Sequence, residues 1–96
     1  MFETGKEYVT TVASVIKYGA VLVISAEGDK GVLRYGALKS GGVFPEHETE
    51  DTLTKEQIRT YIKELDVIRV KVLHTRAPGW PNLPTPVADL AFSGWF

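Results

Sequence analysis

The densest cluster of chemically capable residues is Glu46-His47-Glu48-Thr49-Glu50-Asp51, four acids and an imidazole in six positions. A cation site built from oxygens needs several ligands converging on one point. Acids are also favoured beside the positive N-terminal end of a helix, and a helix start follows this run. A solvated acidic run is therefore the expected reading, with no metal. His74 is distant from His47 in the chain, and no Gly-x-Ser-x-Gly, P-loop or His-Glu-x-x-His spacing occurs. Cysteine is absent, which removes thiolate nucleophiles and cysteine metal sites. Neither an enzyme nor a cofactor is expected.

A second unusual segment is Arg76-Ala77-Pro78-Gly79-Trp80-Pro81-Asn82-Leu83-Pro84-Thr85-Pro86. Closely spaced prolines stiffen a chain toward polyproline II and remove backbone donors. Trp80 and Leu83 are thereby candidates for contact with a protein partner. The alternative is that Trp80 packs back on the domain, since tryptophan is highly buried on average.

Strands, for the most part, must position these groups. Lys6–Lys17 is rich in valine, threonine and tyrosine, types that suit a pleated surface. Tyr18-Gly19 interrupts it, and Ala20–Ile24 reads as a second strand, apolar on both faces. Gly31–Tyr35 reads as a third strand after a turn at Gly28-Asp29-Lys30. Gly36–Asp51 reads as irregular, broken by Gly41-Gly42 and Pro45. Thr54 and Gln57 have capping-box spacing. Ile58, Tyr61, Ile62 and Leu65 follow at helical intervals, so Ile58, Ile62 and Leu65 are expected to face a core. Asp66–Thr75 returns to strand character with Arg69 and Lys71 on one parity, and Val87–Phe92 makes a last strand after the loop 77–86. The tail brings two more aromatics, so Trp80, Trp95 and Phe96 are expected to bury area together, within the chain or across a subunit contact.

This order predicts one domain over 1–96, all-β with one short helix, as a five-stranded antiparallel barrel of the oligonucleotide-binding (OB) type. The chain has 96 residues, 44% of them hydrophobic, 24% charged, with net charge −1. That composition supports a packed core and excludes disorder. No apolar run approaches the roughly 18 residues that span a bilayer, the start at Met1 lacks a signal-peptide core, and the lack of cysteine fits a cytoplasmic location. A near-neutral balance is unusual for nucleic-acid binders, whose cations release counterions from phosphates.

The run from Val12 through Tyr18-Gly19-Ala20 to Val23, the turn and strand Gly28 with Gly31-Val32-Leu33, and Ile68-Arg69-Val70-Lys71-Val72-Leu73 together resemble the S-one type RNA-binding domain, an OB-fold family. The likeness covers roughly residues 5–35 and 66–93. It implies an RNA-binding face on which aromatics of the second strand stack on bases. Tyr18 matches the first of those aromatics. The second position is Val21, which has no ring, and a third-strand histidine position is Arg34. The resemblance thus implies RNA contacts by Tyr18, Arg34, Lys71, Lys17 and the Val21 position, with weak, salt-sensitive and sequence-tolerant binding. The alternative is a protein-interaction module, in an RNA-associated complex or elsewhere, that uses an exposed strand-two face at Val21 and Val23 with Trp80 and Leu83.

Overall fold

The computed structural model describes residues 1–16, 19–76 and 87–96. Its elements are β1 (Glu7–Ile16), β2 (Ala20–Ser25), β3 (Lys30–Leu33), α1 (Tyr35–Ser40), α2 (Lys55–Arg59), β4 (Val67–His74) and β5 (Val87–Trp95). The strands close into a five-stranded barrel in the order β1-β2-β3-β5-β4, an OB-like architecture. Four of the pairings are antiparallel, and β3 with β5 is parallel. The expected five-stranded antiparallel barrel is present, with the one parallel seam that an odd number of strands requires, because alternating directions around a ring of five must repeat once. Among the described residues, no helix is long and apolar enough to cross a membrane.

Alternation along the strands fills the interior. Val12, Val21, Val23, Leu33, Ile68, Val70, Val72 and Leu90 are all essentially without solvent contact. Gly31 of β3 lies against the Leu90 side chain of β5: a Cβ there would lie 2.3 Å from Leu90 Cδ1. A side chain at this position would have to displace that of Leu90 from the core.

Two helices are present rather than one. α1 arises within the stretch expected to be irregular, and is a single turn whose N-cap, Arg34, makes no side-chain cap bond. Burial of Leu38 holds it on the barrel. Its end is set by Gly42, which has φ +81° and donates to Lys39 O, while Val43 donates to Leu38 O. The chain beyond buries Phe44 between Tyr35, stacked at 5.8 Å, and Tyr61, edge-on at 5.7 Å.

α2 has the expected capping box. The Gln57 amide donates to Thr54 Oγ1, and the Thr54 amide donates to Gln57 Oε1. Ile58 and Ile62 are fully buried. Leu65 departs from expectation: it is 82% exposed with φ +74°. The helix stops at Arg59, and the Leu65 amide donates to Val12 O at 2.9 Å, so the chain is already turning into the sheet. Hydrogen bonding to β1 overrides the continuation of the helical stripe.

Candidate functional site

The expected strand-two face is reversed. Val21 and Val23 point into the barrel, at 0% and 1% exposure, so neither is available to RNA or to a protein partner. Register explains this. Val21 pairs with Val15 and Leu33, and Val23 pairs with Val12 and Gly31, all interior positions. A register shift in β1 between Val12 and Ser14 adds one residue to that strand, so that Val12 and Val15 can both face inward against Val23 and Val21. The outward residues of β2 are instead Ala20 and Leu22, packed against buried Val32 and Val87 in a cluster separate from the barrel core. Among the described residues, this outer surface of β2, β3 and the start of β5 presents no aromatic ring.

Arg34 closes one side of it. Its Nε lies 3.7 Å from Asp89 Oδ1, and the Asp89 side chain is only 17% exposed. Lys71 stands on the other side of β5, exposed on β4 between Glu7 of β1 and Ala91 of β5. Arg34 and Lys71 therefore flank β5. Lys17, Tyr18, Trp80 and Leu83 lie outside the described residues.

The outer surface of β4 has a different character. Val67, Arg69, Lys71 and Leu73 all face solvent. From Val67 to Arg76 the chain has three cations, Arg69, Lys71 and Arg76, and no acid. From Glu46 to Asp66, by contrast, seven acids stand against three cations. At the Arg69 end are the terminal aromatics. The Arg69 guanidinium carbon sits 5.6 Å from the Phe96 ring centroid, a cation–π distance. The Phe96 amide donates to Val67 O at 3.2 Å, which fixes the tail beside the strand. Trp95 meets Phe92 edge-on at 5.4 Å. Trp95 is 51% exposed and Phe96 72% exposed, so the expected burial of these two rings does not occur within the chain. Val9, paired with Arg69 across β1, extends the same surface.

Arg69, Trp95 and Phe96 thus come together in a cluster that neither the strand pattern nor the S-one resemblance points to as a binding site. The signal available for Arg69 was its period-two placement with Lys71, which puts both on one face. Between α1 and β5 the surface continues into a groove of about 560 Å³, lined by Arg34, Gly36, Asp89, Ala91, Phe92 and Leu73 among others.

The acidic run assembles no site. Among the described residues, no three His, Asp or Glu side chains gather as metal ligands. His47 Nε2 lies 3.3 Å from Glu48 Oε1, and the Glu48 carbonyl accepts from the Tyr35 hydroxyl at 2.7 Å, which ties the run to the barrel. The groups with displaced proton affinity lie elsewhere. The Arg59 guanidinium beside Glu64 holds that carboxyl below the usual carboxylate range, and Lys6 does the same to Glu3. No protein-family model, curated protein or solved structure matches the chain.

Proposed function

We propose that this chain is a single-stranded RNA-binding module that uses the outer face of β4 and the adjoining tail of β5. The observation that carries the reading is the Arg69–Phe96 stack beside exposed Trp95, at the end of a strand with cations and no acids. Sequence-tolerant binding of single strands needs those two ingredients, rings for bases and cations for the backbone. The S-one resemblance points to the same ligand class. With few cations available, binding is weak and falls steeply with salt.

Fluorescence anisotropy with labelled oligouridine at low and moderate salt tests this. The expected result is saturable binding that weakens with salt and weakens again in Phe96→Ala. No binding at low salt would remove the reading. It would then favour a protein-interaction module, for which the observation is the partly exposed Ala20–Leu22 surface over Val32 and Val87.

A further inference from the structure

We propose that the groove between α1 and β5 is a guanine subsite of the RNA-binding face. The proposal rests on the RNA reading above and adds a base identity to it.

The polar end of the groove is the Arg34–Asp89 pair, with Nε and Oδ1 3.7 Å apart. The Watson–Crick edge of guanine presents, in order, the O6 acceptor, the N1–H donor and the N2–H donor. Its complement is one donor beside two acceptors. A guanidinium next to a carboxylate has that order, because the two carboxylate oxygens can accept from N1–H and N2–H while arginine donates to O6. The other RNA bases do not match. Adenine places the N1 acceptor against the carboxylate, uracil flanks its single N–H with carbonyls, and cytosine sets the N3 acceptor beside its amino group. The Asp89 side chain is 17% exposed, so its hydrogen bonds form with much of the surrounding water already excluded.

The walls suit a flat ring. Leu73, Ala91, Phe92 and Ala37 supply apolar surface, and Gly36 leaves one side open, with nothing within 4 Å of where a Cβ would stand. Gly41 is needed to seat Phe92: a Cβ there would lie 2.5 Å from Phe92 Cδ1. The groove also joins the proposed stacking platform. Phe92 touches Trp95, and Ala91 is paired with Lys71. A base in the groove would thus have a cation beside its phosphate and a ring for its neighbour.

The test is anisotropy with three short oligonucleotides: all-uridine, the same with one central guanosine, and the same with one central inosine, which lacks the N2 amino group. The guanosine oligonucleotide should bind roughly tenfold more tightly than all-uridine, within the span for a two-bond base contact. Inosine should lose most of that gain, an arm that needs no protein variant. In Asp89→Asn the guanosine-to-uridine ratio should fall to about one. Equal affinity of the unmutated protein for all three, or an unchanged ratio in Asp89→Asn, would overturn the subsite while leaving RNA binding intact. Failure of every oligonucleotide to bind would overturn both.

Discussion

The outer surface of β2 and β3 and the outer surface of β4 obey the same alternation rule and end with opposite characters. On β2 and β3 the outward residues Ala20, Leu22, Ile24 and Val32 are apolar, Lys30 is exposed at the start of β3, and Arg34, just past its end, stands beside Asp89. On β4 the outward residues include Arg69 and Lys71, and the nearest large groups are the exposed rings of Trp95 and Phe96. The first surface is where an OB barrel ordinarily engages oligonucleotides. Here its middle is apolar, with Lys30 exposed at one edge, and the exposed rings and cations of the proposed interface lie beyond β5, on β4 and the end of β5. A shared barrel therefore does not fix which of its faces can bind.

The sharpest way to break this comparison is to invert the parity it depends on. Val21→Asp should abolish cooperative unfolding of a stable barrel, because an unpaired carboxylate would enter the core at a cost of several kcal/mol. Leu22→Asp, one residue on, should leave a folded domain by circular dichroism. If both variants fold, the inward phase of β2 is wrong.

Next in size is the helix that supports the barrel. Ile62→Ala should cost about 2–5 kcal/mol in chemical denaturation, whereas Leu65→Ala should change stability little. Equal losses would mean that Leu65 is packed.

On the proposed binding surface, Phe96→Ala or Trp95→Ala should each weaken oligouridine binding by about 1–3 kcal/mol, the worth of one base stack. Lys71→Ala should lower the slope of log affinity against log salt by about 0.7, the single-strand value for one phosphate contact. Arg34→Ala should leave that slope nearly unchanged, since Asp89 already offsets its charge. A slope that responds to Arg34 and ignores Lys71 would move the interface back to β2 and β3.

The smallest effect lies off both surfaces. The Glu64 carboxyl is held below its ordinary range by Arg59, so the pair's contribution to stability is present above that range and fades as pH falls through the lowered value. Both side chains are well hydrated, so Glu64→Gln should shift the thermal midpoint at pH 7 by no more than measurement scatter.

Most of the barrel was legible in the sequence. Strong β-formers bounded by Gly28 and by Tyr18-Gly19 located the strands to within one or two residues, apart from the extension of β5 to Trp95. Thr54 and Gln57 located a helix start through a side-chain geometry that is purely local. The phase of β2 was not legible, because Ala20–Ile24 is apolar at every position and an unbroken apolar run carries no alternation to read. α1 was hidden because its single turn begins without a side-chain cap and contains Gly36. The exposed tail was misjudged for a different reason. Ring size alone favours burial, while the hydrogen bond of Phe96 to Val67 and the Arg69 stack hold these rings at the surface.

The parallel pairing of β3 with β5 also bears on how the chain acquires its structure. β5 is last in sequence and joins both β3 and β4, so the ring cannot be completed until residues 87–95 have been synthesised. Until then β3 and β4 have open edges, with backbone donors and acceptors free to recruit a neighbouring chain. Pairings so distant in sequence are slow to form, because much of the chain must be ordered before they contribute. A chain interrupted before Val87 should accordingly collect in aggregates rather than persist as a smaller folded unit.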